Sequence, residues 1–341
     1  MVRVRSQTQP MNDLNQYIPR DVQTRDAESI PDRAKELVGK KLSLNTRRSY
    51  AKWWKRFEDW GGSLPASPAK IVAYLTENEA THSVSTLNSW AVAINFVHYR
   101  AGYDKPCNTA LVRDFLVGKA NEQAQSRIRQ VRPIVRKDLL AILDATGNGL
   151  IDLRDRCLLL IGYIAALRRS EIAGIRVGHF SFTDEGVDLF IPISKTDQRG
   201  RGTTLGIPFA TGKHCPVRTL RMWLQELPDG EDPDAVVFRR IDRGENIHPA
   251  RLKKIDGAMV SVGLETGSIA RIIKRRCESV GFNPDAFSGH SLRAGLITQA
   301  ALDGKEMWEI RKTSRHKGDS VLSQYIRDGS RYKNTAASGM L

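Results

Sequence analysis

Tyr50, Trp53, Trp54, Phe57 and Trp60 recur at steps of three and four in "SLNTRRSYAKWWKRFEDWGG". Such steps gather on one side of an α-helix and scatter over both faces of a strand, so the run is helical. An aromatic stripe this wide must be buried, and one helix cannot bury it alone. The opposite face carries Arg47, Arg48, Lys52, Lys55 and Arg56, with no acid before Glu58. Ser43 and Asn45 are the candidate N-caps, and Gly61-Gly62 closes the run. Three more runs follow the same grammar. "SPAKIVAYLTENEA" opens with Pro68, "SVSTLNSWAVAINFVHYRAG" closes at Gly102, and "NTALVRDFLVGKANEQ" comes after it. Residues 37–126 are therefore expected to form a helical bundle with short loops. Residues 1–36 are polar, mixed in charge and aperiodic, and read as a flexible tail.

The stretch from Arg127 to Lys137 holds Arg129, Arg132, Pro133 and Arg136 and no acid. Its first part, 127–135, reads as a basic interdomain linker. Beyond it the periodicity predicts helices at 136–145, 151–167, 169–175, 216–227, 266–280, 290–303, 305–313 and 318–326. One patch breaks the pattern. "GVDLFIPISKTDQRGRGTTLGIPF" alternates on both sides of a Gly-rich turn, as a β-hairpin does. The chain is thus expected to be mainly α with a small antiparallel β-sheet, its second domain spanning 136–341.

Lys and Arg number 53 against 38 Asp and Glu, a formal charge of +15. That balance suits a polyanion, nucleic acid first. No run of about 18 apolar residues is present, so no membrane span is expected. The N-terminal stretch lacks the apolar core of a secretory signal. Cys107, Cys157, Cys215 and Cys277 are scattered with no CxxC pair, which fits buried thiols in a reducing cytoplasm. Without a Walker loop or paired metal-ligand spacing, neither cofactor nor metal is expected.

His290 and Arg293 stand one helical turn apart in "SGHSLRAG", at the start of a helix where free N–H groups favour an oxyanion. Alone, that spacing is common in a basic protein. Arg168 follows the apolar run "CLLLIGYIAAL", where a cation needs an anionic partner, and Glu171 lies one turn later to brace it. Arg169 is the better candidate for an ordinary surface arginine. Lys195 lies at the hairpin turn, and His316 and Tyr325 lie in a short basic segment that is a poor core builder.

Taken in order, Arg168 in "LRRSE", Lys195 in "SKT", His290 and Arg293 in "GHSLR", His316 in "SRHKG" and Tyr325 in "SQYIR" resemble the signature of the tyrosine recombinases, or phage-type integrases, and within them the Cre-like branch. The helical bundle is similar to the family's core-binding, SAM-like domain, so the resemblance spans 40–341. Two departures stand out: Arg169 occupies a position that is apolar in many relatives, and the hairpin lysine is the family's least fixed position, with Arg199, Arg201 and Lys213 nearby.

The resemblance implies a recombinase that cuts and rejoins DNA through a 3′-phosphotyrosine link, without metal or ATP. Tyr325 would be the nucleophile, Arg168 and Arg293 the phosphate fork, His290 and His316 further donors, Lys195 the general acid and Glu171 an orienting group. It also implies double-stranded DNA with inverted-repeat sites, a homotetramer joined through the tail after Tyr325, and a cytoplasmic, nucleoid-associated location. The lack of an extra arm-binding domain before residue 40 suggests short inverted repeats. Expected DNA contacts are Arg47, Arg48, Lys52, Ser85, Thr86 and Ser89 in the bundle, Arg127, Arg129 and Arg132 in the linker, and Arg239, Arg240, Arg271 and Lys274 in the second domain. A type IB topoisomerase and a non-catalytic DNA-binding regulator are the alternatives; a metal nuclease lacks its carboxylate cluster.

Overall fold

The computed structural model describes residues 42–125, 131–192, 202–255 and 258–316, together with 33, 318, 322 and 323. The chain divides into two compact units between Arg129 and Gln130. Lys195, Tyr325, Arg127 and Arg129 lie outside the described residues, as does the expected tail apart from Arg33.

The first unit contains α1 (Leu44–Asp59), α2 (Pro68–Asn78), α3 (Val84–Arg100) and α4 (Ala110–Gln125). Ser43, Ser67 and Ser83 each accept the N–H three residues ahead, so Ser43 rather than Asn45 caps α1. Pro68 sits at the start of α2, where its missing N–H is no loss. From the aromatic stripe, Trp54 and Phe57 are fully buried among Ile71, Tyr74, Leu87 and Trp90, while Tyr50, Trp53 and Trp60 pack at the edge. Burying each such side chain stabilises the fold by about 1.5–3 kcal/mol. Gly61 takes φ 101° to end the helix.

The second unit contains α5 (Arg136–Asp144), α6 (Leu150–Ile164), α7 (Arg169–Gly174), α8 (Pro216–Glu226), α9 (Thr266–Glu278), α10 (Ser291–Leu302) and α11 (Met307–Ser314). A three-stranded antiparallel sheet joins β1 (Phe180–Phe182), β2 (Gly186–Ile191) and β3 (Thr203–Pro208) in sequence order. Gly186 faces Pro208 and Ile191 faces Thr203, which puts Val187, Leu189, Ile191, Leu205 and Ile207 on the buried side. The helix α6 runs through the core, with Leu158, Leu159 and Ile161 wholly buried, and packs against α8 and α10. Gly162 permits that approach, since a methyl there would lie 3.0 Å from both Ile172 and Leu292. Mostly helical with small antiparallel sheets, the architecture is the expected one. The helix expected at 318–326 falls largely outside the described residues.

Two features depart from the sequence reading. A ribbon of β4 (Arg251–Ile255) and β5 (Ala258–Val262) stands where only helix and loop were expected. Asp256-Gly257 between the strands is a strong hairpin signal, obscured by the polar run of β4. Residues 131–135, expected as the end of a linker, run along the second unit instead. There Ile134 is wholly buried, its N–H bonds Ser291 O at 3.0 Å, and the Arg132 N–H bonds Ala286 O at 2.8 Å. Gly295 makes this possible, because a methyl there would run into the Ile134 carbonyl. Among the described residues no helix is long and apolar enough to cross a membrane.

Candidate active site

The site is built on the C-terminus of α6. Ala166 has φ 47°, its N–H bonds Tyr163 O at 2.9 Å, and the Leu167 N–H bonds Gly162 O at 2.9 Å. This is a Schellman closure made with alanine, at a cost of about 1–2 kcal/mol for a left-handed L-residue. The closure leaves the Ala165 and Ala166 carbonyls at the negative end of the helix dipole, in need of donors.

Two guanidiniums meet them. Arg293 Nη1 donates to Ala166 O at 2.7 Å. Arg315 Nη1 donates to Ala165 O at 3.2 Å, and its Nη2 to Ala166 O at 3.4 Å. A third, Arg168, stands two residues past the turn as N-cap of α7. Its Nη1 donates to Glu171 Oε1 at 2.8 Å, while Glu171 Oε2 accepts the Arg168 N–H at 2.8 Å, the acidic half of a capping box. The same Oε2 accepts Arg315 Nη2 at 2.8 Å. The Glu171 and Arg315 side chains are 6% exposed and that of Arg168 is 20% exposed, so the buried carboxylate has its donors and the buried cations their acceptors. Arg169 is exposed, as expected.

Arg293 lies in the first turn of α10 and is wholly buried. Its Nη2 donates to Ser314 O and lies 3.3 Å and 3.5 Å from the two ring nitrogens of His316. Ser314 Oγ is 2.9 Å from His316 Nδ1. A guanidinium only donates, so the imidazole meets it with a lone pair. His290 is the N-cap of α10, with its N–H on Ser288 Oγ at 3.1 Å and an exposed face.

The electrostatics agree with this geometry. Desolvation by the protein packed around it, then the charges of Arg293 and Arg168, lower the His290 pKa. Desolvation, followed by Arg293, Arg168, His290 and Arg315, lowers His316 to about 4. Both imidazoles are neutral at pH 7, in a field that an arriving anion would reverse.

The structure thus brings Arg168, Glu171, His290, Arg293 and His316 into one cluster. Pro192, at the edge of the hairpin loop, lines a cavity of about 210 Å³ with Glu171. Leu322, three residues before Tyr325, is wholly buried with Ile297 and Ile310. Sequence reasoning missed Arg315. Its only signal was its place beside His316 in "SRHKG", where it reads as a surface cation.

Among the expected DNA contacts, Arg48, Lys52 and Ser85 are exposed on the bundle, and Arg47, Thr86 and Ser89 are partly buried. Arg240 and Arg271 are exposed and line one cleft with His248, Arg251 and Ser268. Lys274 is paired with Asp285 at 3.0 Å. One expectation needs correction. Arg239 is 4% exposed, its Nε on Val236 O at 2.9 Å and its Nη2 on Asp229, which removes it from any surface. Arg132 is exposed, and its guanidinium donates to both Asp138 carboxylate oxygens at 3.0 Å and 3.1 Å and lies over the Phe282 and Phe287 rings.

Residues 133–331 match the model of the phage integrase family. The chain is 30% identical over 323 residues to an integrase/recombinase xerD homolog of Selenomonas ruminantium, covering 92% of this chain and 90% of the relative. It is 26% identical over 294 residues to recombinase cre of Escherichia phage P1, covering 84% and 83%. Among solved structures, a lambda integrase dimer bound to a COC' core site aligns with a TM-score of 0.58 at 18% identity, covering 89% of this chain and 96% of that one.

Proposed function

The chain belongs to the phage integrase family of tyrosine recombinases, and from that premise we propose that it is a site-specific DNA recombinase working through a 3′-phosphotyrosine intermediate, with Tyr325 as nucleophile and no need of metal or ATP. The observation that carries this reading is the placement of Arg168 and Arg293 around one helix end with neutral His290 and His316 beside them.

Attack on a phosphodiester puts added charge on the non-bridging oxygens. Two guanidiniums already oriented by Glu171 and by main-chain carbonyls meet that charge without reorganising. Tyrosine has a pKa of about 10 and needs both a base and a cationic field. His290, neutral and partly exposed, accepts the phenolic proton. The Tyr325 oxygen bonds to phosphorus, the bond to the 5′ oxygen breaks, and Lys195 protonates the leaving oxygen. A second strand's 5′ hydroxyl then attacks the phosphotyrosine, and Tyr325 leaves with its proton returned. One ester replaces another at each step, so no high-energy cofactor is consumed, and the guanidiniums fill the role a metal ion has in other phosphoryl transfers.

DNA contact falls to the exposed side of α1 and the first turn of α3 in the bundle, and to Arg240, Arg271 and the basic β4–β5 ribbon in the second unit. Inverted-repeat sites bound by four copies complete the proposal. The relatives support it, since lambda integrase structures are a dimer on a core site and a tetramer on a Holliday junction.

The test is covalent trapping. Wild type and Tyr325→Phe are incubated in EDTA with nicked duplexes from the flanks of the chain's own gene and resolved on a denaturing gel. A shifted band from wild type alone is expected. A band from both proteins moves the nucleophile elsewhere, and binding without any covalent band points to a non-catalytic regulator.

A further inference from the structure

Arg315 stands at a left-handed position, φ 57° and ψ 38°, as the C-cap of α11. Glycine fits such a place without strain, and arginine does not. Its side chain is nonetheless buried and reaches across the fold to Glu171 Oε2 and to the Ala165 and Ala166 carbonyls. It also carries a buried Nε that meets no acceptor among the described residues. A residue present only to turn the chain would bear neither burden.

The turn at 315 sends neighbouring groups to different guanidiniums. On one side Arg315 grips Glu171, the carboxylate that holds Arg168. On the other, Ser314 O and the His316 ring meet Arg293. One residue therefore joins the segment bearing His316 to the corner bearing Arg168. It also changes what Arg168 can do. Glu171 alone would neutralise Arg168 and draw both its nitrogens into a fork–fork pair. With Arg315 and the Arg168 main-chain N–H on the second oxygen, the Arg168 guanidinium keeps one contact to Glu171, and the trio retains a net positive charge facing the substrate.

We infer that Arg315 is a positioning residue for strand cleavage, acting through Glu171 to keep Arg168 oriented and incompletely neutralised. This rests on the recombinase reading. It predicts that Arg315 affects the chemical step and not DNA affinity, which is spread over many phosphate contacts.

The test is a double-mutant cycle in the full-length chain with Arg315→Gly, Glu171→Gln and the double variant, plus Arg315→Lys. The rate of covalent-complex formation on a nicked duplex, DNA affinity by gel shift, and the melting temperature are measured. Arg315→Gly is expected to melt below wild type, because relief of the left-handed strain offsets only part of the lost buried ion pair, while Arg315→Lys keeps the charge and should melt closer to wild type. Arg315→Gly is expected to bind DNA as wild type does and to form the covalent complex at least about tenfold more slowly. The double variant should be no slower than the slower single one, the mark of residues acting through each other. Arg315→Lys keeps the charge without the fork and should fall between. Wild-type rates in Arg315→Gly or Arg315→Lys, or strictly additive losses in the cycle, overturn the inference alone. Absence of covalent complex from wild type overturns the recombinase reading and this inference with it.

Discussion

His316 sits among the guanidiniums of Arg168, Arg293 and Arg315, and its imidazole is lowered from 6.5 to about 4. The unfolded chain protonates it near 6.5, so between 6.5 and about 4 the unfolded state holds the extra proton. Its contribution to stability is therefore complete above 6.5 and is lost as pH falls toward 4. Thermal melts at pH 7 and pH 5 should show wild type losing more stability on acidification than His316→Gln does. The same field predicts that an oxyanion in the cluster raises the His316 pKa. Titration of the labelled imidazole by NMR with and without vanadate should move upward for wild type and much less for Arg293→Ala. Arg315 and Arg239 mark the limit of residue-by-residue reading. Both look like surface cations in sequence, yet their burial is decided by partners far away or by the local turn. Glu171 lies 144 positions from Arg315, and the Arg239 side chain folds back onto Val236 and Asp229. By contrast Arg168, His290, Arg293 and His316 were legible together, because their order along the chain resembles the recombinase signature, although each alone is an ordinary feature of a basic protein.

The helix α10 carries His290 and Arg293 and is seated against residues 131–135 through Gly295. Gly295→Ala places a methyl on the Ile134 carbonyl, so one backbone or the other must move. A loss of about 1–3 kcal/mol is expected, visible as a lower melting temperature and slower covalent-complex formation together. Gly118, inside α4, has nothing within 4 Å of a built methyl, and Gly118→Ala should stabilise the bundle by about 0.4–1 kcal/mol. The β4–β5 ribbon exposes Arg251, Lys253 and Lys254, with Leu252 and Met259 also bare. On the proposed function, replacing Lys253 and Lys254 by serine should reduce the slope of log affinity against log salt by about 2. Helices were legible because their periodicity and stop signals are local. The ribbon was not, because it rests on few core contacts and leaves weak alternation in β4. The docking of 131–135 depends on Ser291 and Ala286, which no local pattern connects to them.

At the scale of the whole chain, each unit has its own buried core, one around Trp54 and Trp90 and one around α6. A fragment beginning at residue 131 is expected to fold and to melt above a fragment beginning at 136, which lacks buried Ile134 and the Arg132–Asp138 pair. On a duplex with two sites, the proposed assembly predicts a complex of four chains by sedimentation, whereas a topoisomerase-like enzyme would remain one chain per site. The left-handed turn after α6 has a further consequence. Besides the His316 ring, Arg293 is held by the carbonyls of Ala166 and Ser314, and every amino acid supplies a carbonyl. The instructions that seat this arginine are therefore written in the path of the main chain. They survive changes of side chain at both positions as long as the path is kept. In a saturation-mutagenesis library, Ala166→Gly should pass unnoticed, and no substitution elsewhere should arise as a dedicated compensating partner for Arg293.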